Sequence, residues 1–321
     1  MAQDLFLGLL EMYVFIAIGA FIGYILKGWR EKVLQTSTKA IIYCVTPILI
    51  FISLVNTEIT LSITLVLGII FVQLSMSCLM MLIAFLALRN RSWMTGKKLG
   101  GYLLIAAFPN ATVFPIPIVL AVWGESFLTL LFLYSSSALV LRGTLGTYTS
   151  IKYGRGEGKI PVKQTLVKVI TFPPTIAIIL AIIFIGFNAQ MPNEILAVIK
   201  TPLSKLTSWF GAIVIGMILA GLQRKRLHEF KKDVLISSML RFLLPFLYFV
   251  GIAIFLIFPD NNQIVKSILL LEVMGPPAIF NAMFAVNFDL DREFVATMVV
   301  LLTLMMLIIA PLLILLSPLI F

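Results

Sequence analysis

Two stretches of the sequence place clustered prolines in the middle of apolar segments. The first reads Phe108-Pro109-Asn110-Ala111-Thr112-Val113-Phe114-Pro115-Ile116-Pro117, and the second reads Glu272-Val273-Met274-Gly275-Pro276-Pro277-Ala278-Ile279-Phe280-Asn281. Proline lacks a backbone N–H and clashes with the preceding helical turn, so two or three prolines together break a helix instead of bending it. The sequence therefore predicts two interrupted helices.

The chain around these breaks has the composition of an integral membrane protein. Of its 321 residues, 61% are hydrophobic and 12% are charged, whereas a soluble domain has about 45–50% and about 25%. So few charges cannot cover a soluble surface, which argues against a soluble enzyme or a nucleic-acid partner. One histidine and two cysteines cannot form a four-ligand zinc site. We therefore expect no enzymatic activity and no cofactor, apart from a coupling Na+ or H+.

Ten apolar segments are long enough to cross a bilayer, whose hydrocarbon core takes roughly 20 helical residues. They predict an all-α integral membrane protein whose fourth and ninth spans are the interrupted ones. The predicted spans cover residues 5–27, 35–55, 62–87, 99–123, 127–150, 164–187, 199–222, 233–258, 263–287 and 294–317.

Lysine and arginine in the loops between these spans predict the orientation of the chain. Eighteen of them fall in loops on one side of the membrane and three fall on the other. Because cytoplasmic loops carry the excess of basic residues, we expect a multi-pass protein of the cell membrane with both termini outside.

Five spans in each half of the chain predict an inverted repeat, because an odd number makes the second half enter the membrane from the opposite side. Residues 1–151 would form the first repeat, 152–163 a cytoplasmic linker and 164–321 the second repeat, all in one membrane domain. Pro109 lies about 15 Å into its span, near the bilayer midplane. Freed backbone groups at that depth must line a cavity or be buried in protein, as in secondary transporters.

The sequence resembles the auxin efflux carrier family, which includes plant auxin exporters and bacterial permeases for malate or malonate. The resemblance is carried by Phe108-Pro109-Asn110-Ala111-Thr112-Val113, Ile116-Pro117-Ile118, Val122-Trp123-Gly124 and Met274-Gly275-Pro276. It implies a ten-helix transporter in which helices four and nine unwind and cross, with carboxylate substrates held at the crossing. The candidate substrate-binding residues are Asn110, Thr112, Pro117, Pro276, Pro277 and Asn281.

Three departures from the pattern of the plant carriers bear on the substrate. Asn281 stands where the plant carriers have a proline, and Leu222 stands where they have an asparagine. Their long cytoplasmic loop is reduced here to roughly residues 152–163. These departures argue against auxin itself as the substrate.

Glu272, just before the second break, is the candidate for ion coupling. Glu272-Val273 is similar to the start of the Glu-Val-Gly-Met motif of bile acid sodium symporters, in which that glutamate binds sodium. The resemblance implies a sodium ion at Glu272, and Ser135 and Ser136 could add oxygen ligands. A proton carrier and a hydrogen-bonded structural group are the alternatives, since a carboxylate at this depth rarely lacks a partner.

Other polar and small residues inside the spans have alternative roles. Asn110 and Asn281 either contact the substrate or cap the broken helices. Arg142 either extends to the cytoplasmic interface or meets an anionic substrate. Gly19 and Gly23 form a small-residue face suited to packing within the chain or to a homodimer contact.

Taken together, these features predict a secondary transporter of small organic anions that works by alternating access. Its partners would be that anion and the lipid bilayer. The alternatives are a sodium-coupled symporter and an anion channel, since broken helices can also line a pore.

Overall fold

The computed structural model describes residues 2–55, 62–154, 173–187, 191–221, 229–253 and 263–321, together with Val167 and Thr171. Leu222 and residues 155–163 of the predicted linker lie outside the described residues. The first half of the chain contains α1 (Ala2–Ile25), α2 (Arg30–Ala40), α3 (Thr46–Val55), α4 (Ile63–Leu88), α5 (Gly96–Ala107), α6 (Pro115–Val122), α7 (Leu128–Leu141) and α8 (Thr147–Tyr153). The second half contains α9 (Pro173–Gly186), α10 (Asn193–Leu219), α11 (Lys231–Ser238), α12 (Leu244–Tyr248), α13 (Gln263–Val273), α14 (Ile279–Asn287) and α15 (Arg292–Ile320).

The helix bounds confirm the two predicted interruptions. The fourth predicted span covers α6 and all but the first three residues of α5, and the ninth contains α13 and α14. Pro115 stands at the first position of α6, where a missing N–H costs no hydrogen bond. The proline clusters therefore interrupt both helices where the sequence predicts.

Among the described residues, four helical segments are long and apolar enough to cross a membrane. They are Ile63–Leu88, Glu125–Tyr153, Lys231–Gly251 and Arg292–Ile320. The all-helical membrane character of the chain is thus supported, whereas the arrangement of ten spans as an inverted repeat stays a prediction.

Helix α4 shows the polarity expected of a helix in lipid. Its exposed side chains include Ile63 and Phe71, at 71% and 59% exposure, whereas Gln73 and Ser77 are fully buried. A helix in water would expose the polar residues and bury the apolar ones. The reverse arrangement in α4 fits an apolar solvent.

Short π-helical turns interrupt several helices. The turn Arg142–Gly146 joins α7 to α8, and the turn Met239–Leu243 joins α11 to α12. Such turns add a residue to the helical repeat and occur frequently at functional sites. Here they carry two arginines, Arg142 and Arg241.

The chain folds into two compact units that interleave along the sequence. Unit 1 comprises Met1–Ser62, Thr112–Ser136 and Val167–Gly221, and unit 2 comprises Ile63–Ala111, Ser137–Leu166 and Leu222–Phe321. Both predicted repeats therefore contribute segments to both units.

Unit 1 is held together by close packing of α1 against α10. A Cβ atom at Gly19 would overlap the backbone of Ile213, and one at Gly216 would overlap the backbone of Ile16. Gly23 lies in the same contact, near Met217 and Ala220. The small-residue face of α1 is thus used for packing within the chain.

Unit 2 contains a charged cluster near the beginning of α5. The Lys98 ammonium lies 2.8 Å from a carboxylate oxygen of Asp233, and the Tyr102 hydroxyl donates to the same oxygen at 2.5 Å. The rings of Phe230 and Phe294 lie within 6 Å of the Lys98 ammonium. This network ties α5 to the first turn of α11.

Candidate functional site

The two breaks pair with each other inside unit 2. Pro109 and Pro277 lie opposite one another in an antiparallel bridge. The Asn110 N–H donates to the Pro276 carbonyl at 2.6 Å, and the Ala278 N–H donates to the Phe108 carbonyl at 3.0 Å. Prolines have no N–H, so their neighbours supply both hydrogen bonds. The interrupted helices therefore meet through a short stretch of extended backbone.

Asn281, in the first turn of α14, contacts the end of α5. Its side-chain amide donates to the carbonyls of Leu104 and Phe108 at 3.1 and 3.2 Å. The side chain is fully buried, and its oxygen has no partner among the described residues. The donor end of Asn281 therefore caps a broken helix, while the acceptor end stays available.

Arg241 lies beside the paired breaks and is the largest fully buried side chain of the described residues. Its Nε donates to the Gly275 carbonyl at 2.7 Å and its Nη1 donates to the Ala106 carbonyl at 2.9 Å. Its Nη2 donates to the Val273 carbonyl. One guanidinium thus satisfies backbone oxygens at the carboxyl ends of both α5 and α13.

Ser77 completes the set of partners at the end of α5. Its hydroxyl donates to the Ala107 carbonyl at 2.7 Å and accepts from the Gln73 side-chain amide at 3.0 Å. The last carbonyls of a helix have no intrahelical partner, and burial without one is costly. Side chains from α4, the Arg241 turn and α14 meet that requirement here.

Arg142 approaches the first break from the π-helical turn after α7. Its Nη2 donates to the Pro109 carbonyl at 2.7 Å, and its guanidinium carbon lies 5.7 Å from the ring centres of both Phe108 and Phe280. The side chain is only 6% exposed, and its Nε has no partner among the described residues. Arg142 is therefore buried among protein groups next to the first break.

Glu272 is fully buried in the last turn of α13. Neither of its carboxylate oxygens has a hydrogen-bond partner among the described residues. Arg241 lies within electrostatic range of both Glu272 and Arg142. The Arg241 N–H groups donate to backbone carbonyls, and the Glu272 oxygens accept from none of them.

The candidate site residues divide between the two units. Unit 2 contains Asn110, Glu272, Pro276, Pro277 and Asn281, and unit 1 contains Thr112, Pro117, Ser135 and Ser136. Within unit 1, the Ser135 hydroxyl donates to the Phe132 carbonyl at 3.2 Å. The Ser136 hydroxyl is buried without a partner among the described residues.

Pro117 lines a cavity of about 400 Å³ in unit 1. The Trp209 indole donates to a Glu11 carboxylate oxygen at 2.6 Å in the wall of this cavity, and the Phe15 ring stacks on Trp209. The remaining lining residues are Met12, Leu120, Ala121, Gly124, Glu125, Lys205 and Ala212.

Arg241 and Ser77 are the polar residues that reasoning from the sequence missed. A signal for Arg241 was present, because it is an arginine about eight residues inside a predicted span, where charge is rare and usually functional. Ser77 carries no such signal, since serine is common in membrane helices.

Comparisons with known proteins point to transport. No family model matches the chain. It is 28% identical over 313 residues to a protein of Methanothermobacter thermautotrophicus described as an uncharacterized transporter, covering 96% of this chain and 98% of that protein. A second protein described in the same words, from Methanocaldococcus jannaschii, is 25% identical over 217 residues, which is 67% of this chain and 68% of that protein. The chain is therefore similar to two proteins described as transporters, to the first over nearly its whole length and to the second over about two thirds of it.

Proposed function

We propose that this protein is a secondary transporter that moves small organic anions across the cell membrane by alternating access. The observation that carries the proposal is Arg142, a buried guanidinium beside the paired helix breaks whose Nε lacks a partner among the described residues. Guanidinium groups bind carboxylates through planar, charge-assisted hydrogen bonds. The guanidinium lies 5.7 Å from the centres of two phenyl rings and is only 6% exposed, so little water competes with such a ligand for it.

The charges around the crossing favour an anionic ligand. When all three are ionised, Arg142, Arg241 and Glu272 together carry a net charge of +1. A monoanion or one end of a dianion would neutralise that excess, and buried charges are stable only when they are paired. The similarity to archaeal proteins described as transporters supports transport rather than catalysis.

Asn110, Asn281, Pro276 and Pro277 are proposed to form the rest of the anion site in unit 2. Asn110 and Pro276 already join the two breaks through the backbone, and the Asn281 oxygen can accept from a hydroxyl group of a ligand. Thr112 and Pro117, which follow Asn110 in the chain, are proposed from the sequence alone as further substrate-binding residues.

The inverted repeat of ten spans is also part of the proposal. Predicted spans one and two of the first half and spans six and seven of the second half, which occupy matching places, belong to unit 1. The third and eighth spans belong to unit 2, as does the tenth. The first three pairs of matching spans therefore divide between the units in the same way, which supports the repeat, whereas spans four and five are each split between the units and spans nine and ten are not.

The orientation can be tested with single cysteines in a background lacking Cys44 and Cys78. We expect cysteines at Asn56 and Asn262 to react with an impermeant thiol reagent added to intact cells, because the basic loops predict these positions to be outside. A cysteine at Gly156 should react only after the cells are opened. Labelling of Gly156 alone in intact cells would reverse the orientation.

The anion site can be tested with purified protein and a panel of short mono- and dicarboxylates, with sugars and amines as comparison ligands. A ligand that binds only the folded state raises the melting temperature, and we expect one class of carboxylate to do so. The same carboxylate should then exchange across proteoliposome membranes. A panel in which sugars or amines stabilise the protein and carboxylates do not would contradict the proposal.

Asn110→Ala should weaken carboxylate binding by about tenfold, or about 1.4 kcal/mol, because it removes one polar side chain from the site. The backbone bond to Pro276 is kept, so the yield of folded protein should stay near that of the parent. Asn281→Ala is the matched comparison, because it removes two hydrogen bonds to the end of α5 and should lower the melting temperature more. Equal losses of binding and yield in Asn110→Ala would indicate that Asn110 is a helix cap.

A further inference from the structure

The paired breaks free several backbone carbonyls in a region predicted to lie near the bilayer midplane. Such oxygens need a hydrogen-bond donor or a coordinated cation, because lipid offers neither. In transporters with broken helices, these carbonyl ends commonly hold the coupling cation. The group that binds these carbonyls in this chain therefore determines whether a coupling cation can bind there.

Arg241 donates hydrogen bonds to the carbonyl oxygens that would otherwise be available to a cation bound at Glu272. The carbonyls of Val273 and Gly275, one and three residues after Glu272, accept hydrogen bonds from this guanidinium. The carbonyl of Ala106, from the other break, is the third acceptor. The guanidinium charge also lies at the carboxyl ends of α5 and α13, where the helix dipoles favour a cation.

A sodium ion does not fit beside this arrangement. Sodium, like other hard cations, needs several oxygen ligands around it. The nearest backbone oxygens already accept from a positive group, and a second cation sharing them would meet strong repulsion in a buried site.

We propose that Arg241 is a resident cation that replaces a bound sodium ion at the paired breaks, so that transport by this chain is independent of sodium. This inference rests on the proposed anion transport, since sodium independence is a property of that transport. The chemistry of the site itself can be tested without any substrate. Arg241 acts here as a positioning residue, since its N–H groups hold carbonyls of the two breaks.

The test compares melting temperatures of the purified, substrate-free protein in NaCl, KCl and choline chloride at equal ionic strength. The parent should melt within about 1 °C in all three salts, because the cation position is filled. Arg241→Ala leaves three carbonyls and Glu272 around an emptied position. We expect this variant to be less stable in KCl and to regain about 3 °C or more in NaCl.

Arg241→Lys is the matched variant, since it keeps a buried positive charge with fewer donors. It should fold, and its melting temperature should not depend on sodium. If Arg241→Ala gives no folded protein, the Arg241→Lys result tests whether a positive charge excludes sodium. The proposal would be overturned if NaCl specifically raised the melting temperature of Arg241→Lys. It would also be overturned if NaCl raised the melting temperature of the parent and Glu272→Gln lost that increase. An absence of carboxylate binding would instead defeat only the transport function, because none of these melting temperatures depends on a substrate.

Discussion

Arg142→Gln should abolish most carboxylate binding, with a loss of affinity of about 100-fold, or about 2.7 kcal/mol. Glutamine is two bonds shorter than arginine, so the hydrogen bond to the Pro109 carbonyl is lost as well and the melting temperature should fall. It cannot supply the positive charge or the unpartnered Nε–H that would meet a carboxylate. Titration calorimetry or a ligand-dependent melting curve measures the loss, with the carboxylate that stabilises the parent as the ligand.

Two further variants separate binding from folding in this experiment. Arg142→Lys retains the charge but lacks the planar edge of a guanidinium, so its affinity should lie between those of the parent and the glutamine variant. Arg292→Gln removes an arginine that is largely exposed, and it should leave affinity unchanged. Parent-like affinity in Arg142→Gln, together with a lower melting temperature, would show that Arg142 only supports the break.

Gly216→Leu should prevent the folding of most of the protein. Even a Cβ atom at this position would overlap the Ile16 carbonyl oxygen and lie 2.6 Å from the Ala20 backbone nitrogen. Neither atom can move without separating α1 from α10, and overpacking of this kind typically costs about 1–3 kcal/mol or more. Because the clash is with backbone, we expect a loss of about 3 kcal/mol or more, seen as aggregation on size-exclusion chromatography.

The matched control for this variant is Gly251→Leu. A Cβ atom at Gly251 meets no heavy atom within 4 Å, so leucine there should be tolerated. Gly19→Leu, on the opposite side of the same helix contact, should behave like Gly216→Leu. If Gly216→Leu and Gly251→Leu give the same yield and melting temperature, α1 and α10 cannot pack as closely as described.

The sequence predicted the breaks because their cause is local. Pro109, Pro115, Pro276 and Pro277 remove N–H donors from the two helices in which they stand, whatever those helices contact. The helix ends at Ala107 and Val273 follow from this chemistry. The predicted membrane character is equally local, since it depends on the length and composition of apolar segments.

What the sequence could not determine is how the freed backbone groups are satisfied. The Arg241 guanidinium meets the Ala106 carbonyl across 135 residues of chain, and the Asn281 amide meets the Leu104 carbonyl across 177. The sequence assigned alternative roles to Asn281 and Arg142 and overlooked Arg241, because nothing in neighbouring residues specifies a distant partner. Helix breaks arise from the bonding of each residue to its own turn. The partners of those breaks are decided only by tertiary packing, where buried carbonyls must find donors on other helices.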